Sequence, residues 1–484
     1  MIRSPSGADF QDISHTQFQP VEKLGKILSR KCEEKYGIHN GITADIFAQT
    51  VFPEFNELGE NLFRYLHYSS KAKTKHLGLT AFRQQCERFL ALLDDGIILE
   101  MYVKMFGDLN ETELIKPDNF KNLLMTCYRL AMAHYSDGPQ TCILIDRTLN
   151  SVVQSCFFSK ESLSSGYICR WLENNCARLV PPIHKFCVHT LSTSYRTIKD
   201  KSMDVTNNPI NSPYNLELQT PILEKQSIQF KANEGNSSKT SNGINLPLSE
   251  AWLLAGALPP LYSKPQQIQN PSGNSSSSNS SANLASQVFM AKLLSVLPSH
   301  WTLIYNSRYD GVGANRFLHH VIGYRGPNLI LLRCDSDLLF CIGSPNEWRE
   351  THLYIGTEDS CCIQLLPKFL MLENKPKMLY LNTSIRGYPK GLRAGSDPRK
   401  PILIIDESFD QLEYRSIKYA ILSIEVWGCG DKQSREVQLD IKKWEVKEAE
   451  RQRTVKLTAA DWMDHPDRYL LELGGRPQYN NSTQ

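Results

Sequence analysis

Asn328-Leu329-Ile330-Leu331-Leu332-Arg333 and Leu338-Leu339-Phe340-Cys341-Ile342 are short apolar runs on either side of the polar stretch Cys334-Asp335-Ser336-Asp337. Runs of this length bounded by turn-forming residues read as strands. The same pattern recurs at Trp301-Thr302-Leu303-Ile304-Tyr305, Cys361-Cys362-Ile363-Gln364-Leu365-Leu366, Met378-Leu379-Tyr380-Leu381, Ile402-Leu403-Ile404-Ile405 and Ala420-Ile421-Leu422-Ser423-Ile424-Glu425-Val426-Trp427. Gly, Pro, Asp and Asn clusters separate these runs, which predicts a β-sandwich or similarly layered sheet core over 286–430.

Upstream the period changes. From 20 to 199 apolar residues recur at three and four spacing, as in Phe82, Cys86, Phe89, Leu90 and Leu93, then Ile97, Met101 and Met105. Short amphipathic helices packed on one another follow from this. Thr80 is placed to cap the helix holding Phe82 to Leu93, while Asp94-Asp95-Gly96 and Lys116-Pro117-Asp118-Asn119 punctuate between helices. Over 200–244, Asn, Ser, Pro and Lys displace apolar residues, the composition of a solvated linker. Within 245–264, Ser249-Glu250-Ala251-Trp252-Leu253-Leu254-Ala255-Gly256-Ala257-Leu258 reads as one short helix ended by Pro259-Pro260. The segments 1–19 and 265–285 read as disordered, the latter because its Ser/Asn tract buries nothing to offset the entropy of ordering. A charged helix opens the tail, 431–484. The fold class expected is α+β.

At 484 residues the chain is long enough for two or more folded units. Hydrophobic residues make up 41% and charged residues 22%, a globular composition. Lys and Arg number 54 against 51 Asp and Glu, and a net charge of +3 gives no basic field of the kind that nucleic acid requires. No secretory signal or apolar run of about 18 residues occurs, so a soluble, intracellular protein is expected. The 13 cysteines sit mostly inside apolar runs and read as buried, reduced thiols.

The local signatures of catalysis are missing: there is no HExxH, GxSxG, GxxxxGK[ST] or CxxC pair. Asp310-Gly311-Val312-Gly313-Ala314-Asn315 has two glycines of a dinucleotide loop but no third, and turn glycines explain it better. Asp108 could open a calcium loop, yet Glu113 stands where Gly makes the sharp turn and Asn119 where a bidentate Glu is needed. Helix pairs without calcium are the simpler expectation. Cys361 and Cys362 are vicinal, but alternation along a strand sends them to opposite faces and nothing basic lies beside them to lower a thiol pKa. His319-His320 reads as a structural pair on a strand or loop.

Between 286 and 430, Leu297-Pro298, Trp301-Thr302-Leu303-Ile304-Tyr305, Ser307-Arg308-Tyr309-Asp310-Gly311, Gly326-Pro327-Asn328-Leu329, Tyr354-Ile355-Gly356-Thr357-Glu358-Asp359-Ser360 and Ile424-Glu425-Val426-Trp427-Gly428 follow in an order and spacing that resemble the TLD (TBC/LysM-associated) domain family. Val312-Gly313 and Phe340-Cys341 depart from the family's usual Ser or Thr after Asp-Gly and its Phe-Gly pair. The helical N-terminal region, the Trp252-Leu253-Leu254 helix, Trp444 to Arg451 and Asp467-Arg468-Tyr469-Leu470-Leu471 are similar to the mTOR-associated, lysosomal members of that family. That resemblance implies a TLD sandwich with a degenerate EF-hand-like helical domain. It further implies a non-catalytic protein with no cofactor or metal, which binds the vacuolar proton ATPase, supports mTOR pathway proteins and sits at the cytosolic face of lysosomes. Relatives carry an N-terminal Gly for myristoylation; Ile2 follows Met1 here, so contact with the lysosomal membrane is expected through partners. Family resemblance also leaves open an oxidation-protective role, and the helix pairs leave open a calcium-responsive one.

Partner recognition is expected from two places. The first is a polar face of loops: Arg308, Tyr309 and Asp310; Tyr354 to Ser360, including Glu358; and Arg386-Gly387-Tyr388. The second is the tail helix, where Val437, Ile441 and Trp444 share one side while Asp440–Lys443 and Glu448–Arg451 can pair at i,i+3. Trp444 is the expected anchor, whether the helix packs on its own domain or enters a groove on a partner.

Overall fold

The computed structural model describes residues 19–107, 114–133, 144–203, 246–263, 300–453 and 473. The expected disordered start up to 18, most of the linker, the Ser/Asn loop, the Asp108 to Glu113 half of the calcium-loop candidate, Leu297-Pro298 and the Asp467 to Leu471 stretch lie outside these residues.

Two similar helical units open the chain. In the first, α1 (Gln19–Tyr36), β1 (Gly41–Ile42), α2 (Ala44–Val51), α3 (Asn56–Ser70), β2 (Leu77–Gly78) and α4 (Leu79–Leu90) form two helix-loop-helix pairs whose loops meet in a two-residue antiparallel ladder, β1 with β2. The second repeats this with α5 (Asp95–Phe106), β3 (Leu114–Ile115), α6 (Pro117–Met132), α7 (Ile145–Phe157), β4 (Leu163–Ser164) and α8 (Ser165–Asn175), joined through β3 and β4. This is the architecture of paired EF hands. Spacing dictates the packing: Val21, Leu24, Leu28 and Cys32 on α1 are all buried at three and four intervals.

Two local expectations give way. Thr80 lies inside the first turn of α4, whose N-cap position is Gly78 and carries no side-chain bond. Leu93 is 90% exposed and Ile97 is also exposed, because α4 stops at Leu90 and a new helix begins under the cap of Asp94, whose carboxylate accepts from Ile97 N at 2.9 Å. The apolar period therefore does not run through the break.

A long helix α9 (Pro181–Met203) runs on past 199, and α10 (Leu248–Ala257) and the single turn α11 (Pro260–Ser263) follow. Leu248 to Gly256 are all buried, the polar Ser249 and Glu250 through partners on Thr148 and Arg333, so the helix is enclosed on every side. At Gly256 a Cβ would come within 2.1 Å of the Leu179 side chain, so only glycine admits that approach. Arg178 caps the end of α10 by donating to the carbonyls of Ala255, at 2.7 Å, and Leu258.

Ten antiparallel strands form one curled sheet: β5 (Thr302–Asn306), β6 (Asn328–Cys334), β7 (Leu339–Ser344), β8 (Cys361–Leu366), β9 (Leu370–Asn374), β10 (Leu379–Asn382), β11 (Gly391–Ala394), β12 (Leu403–Ile405), β13 (Gln411–Tyr414) and β14 (Ile417–Gly428). The order is β10-β11-β12-β13-β14-β6-β7-β8-β9, with β5 also on β14. β14 makes the curl: Ile417–Ala420 pair with β13, whereas from Ile421 onward the strand pairs with β6, and Glu425–Gly428 pair with β5 as well. The two arms close over a core of Ile330, Leu332, Phe340, Ile342, Leu381, Leu392, Ile405 and Leu412. Side chains of opposite parity, Leu329, Leu331, Cys341 and Ile363, face outward into a second core shared with the helices. That explains the unbroken apolar runs: these strands are covered on both faces.

Helical region and sheet therefore share a core. Phe369 N donates to Ser151 O at 3.1 Å, Trp301 Nε1 to Tyr262 O at 2.7 Å, and Tyr262 Oη to Asp359 O at 2.9 Å. Two more helices, α12 (Ser307–Asp310) and α13 (Ala314–Val321), lie between β5 and β6, and α14 (Lys432–Arg453) follows β14. His319 and His320 thus lie on a helix, not on a strand or loop. Among the described residues no helix is long and apolar enough to cross a membrane.

Candidate functional site

The expected recognition residues fall in three places. The first is the turn after β5. Asn306 Oδ1 accepts from Arg308 N at 3.0 Å, and Asp310 Oδ2 accepts from Asn306 N at 2.8 Å, which closes α12 on itself. Tyr305 Oη donates to Gly311 O at 2.7 Å, and burial pushes its phenol up to about 12. Gly311 and Gly313 have φ of +89° and +123°, so the Asp-Gly-Val-Gly stretch is a pair of turns requiring glycine, though the eight-residue α13 does follow it. Arg308 and Tyr309 project outward from this braced turn, while Asp310 faces His320 at 3.8 Å.

Next to it lies α14. Gln438 is fully buried, and its Nε2 donates to the carbonyls of His320 at 2.9 Å, Ile322 at 3.2 Å and Val321 at 3.4 Å. Lys442 Nζ donates to His320 O at 3.2 Å. These are carbonyls at the C-terminal end of α13, which lack partners within the helix and carry partial negative charge. Arg435 donates to Gln438 Oε1 and fixes the amide. At the start of the helix, Gly430 N donates to Tyr324 Oη at 2.8 Å, and Asp431 Oδ1 accepts from Ser434 N at 2.9 Å.

A polar seam thus holds the helix, and Trp444 takes no part in it. Trp444 is 65% exposed, Leu439 and Val446 are exposed, and Ile441 is half-buried. Trp444 is expected from sequence to anchor the helix either on its own domain or in a partner groove; on its own domain Gln438 and Lys442 do so instead. The expected pairs do form, Lys443 to Asp440 at 3.2 Å and Arg451 to Glu448 at 2.9 Å, both exposed enough to add little.

The third place is the loop pair beside β10. Tyr354 stacks on Tyr380 with ring centroids 5.1 Å apart, and Tyr388 meets His352 at 5.2 Å. Asn382, fully buried, builds the loop 383–390: Nδ2 donates to Ile385 O and Pro389 O at 3.1 and 3.2 Å, and Oδ1 accepts from Ile385 N at 2.8 Å. Glu350 accepts from Thr383 N at 2.7 Å and Ser384 N at 3.1 Å. Burial opposes its charge, but these bonds and those from the two hydroxyls outweigh it and hold the carboxyl below its ordinary value. Arg386 and Tyr388 stand at the exposed tip, and Glu358 is exposed on the preceding loop. Among the described residues no hydrogen bond, ion pair or ring contact joins this loop pair to Arg308-Tyr309-Asp310, so each loop is braced by its own bonds.

Cys361 and Cys362 point to opposite faces as expected, but each enters a core, Cys361 the outer one and Cys362 the inner. Burial pushes the Cys361 thiol up to about 12 and Cys362 well above its ordinary value. Among the described residues no cluster of three His, Cys, Asp or Glu could hold a metal ion. Sequence reasoning missed Gln438, Lys442, Asn382 and Glu350, since a polar residue among polar neighbours carries no periodic signal; Glu250, charged within an apolar helix, did carry one.

Compared with known proteins, residues 278–430 match the model of the TLDc domain family, and the chain carries a TLDc domain there. A protein of Neurospora crassa named restriction of telomere capping protein 5 is 23% identical over 292 residues, covering 45% of this chain and 48% of that protein. The protein of the same name in Lachancea thermotolerans is 30% identical over 171 residues, 30% of each chain. The match therefore spans under half the length of the first relative and under a third of the second.

Proposed function

Starting from a TLDc domain that carries a helix fastened by polar contacts, we propose that this protein is a non-catalytic adaptor that docks on the vacuolar proton ATPase and supports mTOR signalling at the cytosolic face of the lysosome. One observation carries the docking part of the reading. Gln438 and Lys442 hold α14 to the domain without using its large apolar side chains, so Trp444, Leu439 and Val446 remain exposed for a partner. Exposed Trp on a pre-positioned helix is the kind of residue that dominates interface energetics. The braced turn of Arg308 and Tyr309, which adjoins α14 through Asp310 and His320, offers a second contact, and two weak contacts on one body raise avidity.

Recovery of the ATPase from cells with the full chain, with Trp444→Ala and with truncation after Gly430 tests this. Loss of recovery in both variants is expected; unchanged recovery ends the reading. An oxidation-protective role is the competing proposal and finds less support. It needs a reactive thiol, whereas all twelve described cysteines are buried.

A further inference from the structure

Away from α14 and the loops already described, a cleft of about 500 Å³ opens between β9 and the β12–β13 pair. Leu372 from β9 and Ile402 and Ile404 from β12 and its approach form an apolar floor. Arg399, Lys400 and Arg415 surround it with one carboxylate, Glu413, so three positive charges less one negative leave a net of +2. Among the described residues none of the three cations enters a salt bridge, and Arg415 lies over the Tyr414 ring at 5.0 Å. Cations left unpaired around an apolar floor favour a ligand that brings both negative charge and hydrocarbon.

The second observation is the strand that forms one wall. β9 is the last strand of the sheet and pairs only with β8, so its other edge has no strand partner among the described residues. Its residues Leu370 to Glu373 are half-exposed. Glu373 brings the cationic loop alongside: its carboxylate accepts from Ser396 N at 2.8 Å and from Ser396 Oγ, which sets the segment carrying Arg399 and Lys400 beside β9. An open edge next to an apolar, cationic cleft has the parts needed to bind an extended peptide by strand addition. The edge would supply main-chain hydrogen bonds, and the cleft would read alternate side chains.

We propose that β9 and the Arg399–Lys400–Arg415 cleft bind an extended acidic segment of a partner protein, with its backbone along β9 and its carboxylates among the three cations. An anionic lipid headgroup would satisfy the cations but would leave the strand edge unused, which favours the peptide. The proposal is independent of the adaptor reading, because it uses no residue of α14 or of the Arg308 turn.

Selection of displayed random decapeptides on the full-length protein tests it, followed by fluorescence anisotropy with the enriched peptides. Enrichment of sequences with acidic residues interleaved with apolar ones is expected. Arg399→Glu with Lys400→Glu, both exposed positions, should weaken those peptides by about tenfold or more, as should raised salt. Methylation of alternate peptide amides should cost about as much, since it removes strand pairing while the protein is unchanged. Several results would overturn the proposal: no acidic enrichment, binding to the charge-reversed protein within about twofold of the original, or indifference to amide methylation. Phosphoinositide vesicles that bind through the same cations while no peptide does would assign the cleft to lipid instead.

Discussion

Glu250 on α10 meets Arg333 on β6 at 2.7 Å, both side chains largely buried where the helical region lies against the sheet. Removing either partner strands a charge in the core, so Arg333→Met or Glu250→Leu alone should destabilise by about 3–5 kcal/mol. The double variant should recover much of that loss, because the buried pair itself contributes little net energy. Chemical denaturation of the four proteins as a double-mutant cycle measures the coupling.

The neighbouring Glu425 gives the protein a pH dependence. Burial raises its carboxyl to about 7, against the pull of Arg333 and the 3.1 Å hydrogen bond from Trp427 Nε1. The folded state thus binds a proton that the unfolded chain has lost, so this contribution is full below about 4.5 and is lost as pH rises through about 7. A rise from 4.5 to about 7 corresponds to about 3 kcal/mol. Glu425→Gln should flatten that slope and be more stable than the original at pH above 7, as followed by urea unfolding across pH.

Gln438 fastens α14 through three carbonyls of the α13 end. Gln438→Leu should cost about 1–3 kcal/mol locally, since buried carbonyls lose their donor. Amide hydrogen exchange should then accelerate over 432–443 while β6 to β8 stay protected. Equal acceleration throughout the domain would show that the seam is not a local fastening.

Arg415 and Ser416 form the two-residue turn between β13 and β14 with φ of +53° and +64°. Asn-Gly is the ordinary occupant of such a turn, because Asn tolerates positive φ better than other side chains and Gly adopts it without strain. Replacing the pair with Asn-Gly should raise stability by about 1 kcal/mol, seen as a higher denaturation midpoint.

Much of the fold was legible in the sequence, and the misses share a cause. All seven apolar runs became strands, those of β6, β7 and β8 because both their faces are covered, but β9, β11 and β13 were overlooked. In Leu370-Met371-Leu372-Glu373-Asn374, Gly391-Leu392-Arg393-Ala394 and Gln411-Leu412-Glu413-Tyr414 the strands are short and carry polar residues on a wetter face. Leu93 and Ile97 continued the apolar period of α4 in sequence yet face solvent, since the helix break at Ala91 resets the face. Tyr309, Arg386 and Tyr388, read as loop residues, are exposed, whereas the buried Asn306 and Asn382 that brace their loops were not singled out.

The elements were written in the residue pattern: short apolar runs between turn-forming clusters for the sheet, three-and-four spacing for the helices, and Pro259-Pro260 to end α10. Those are one-dimensional consequences of burial, so they survive without knowledge of neighbours. Packing in three dimensions set the rest: β14 bridges two arms of one sheet, Glu250 finds Arg333, and Gln438 rather than Trp444 holds α14. Such choices depend on which unsatisfied carbonyl or charge arrives opposite a given side chain, and chain folding sets that meeting across more than a hundred residues for Gln438 and His320.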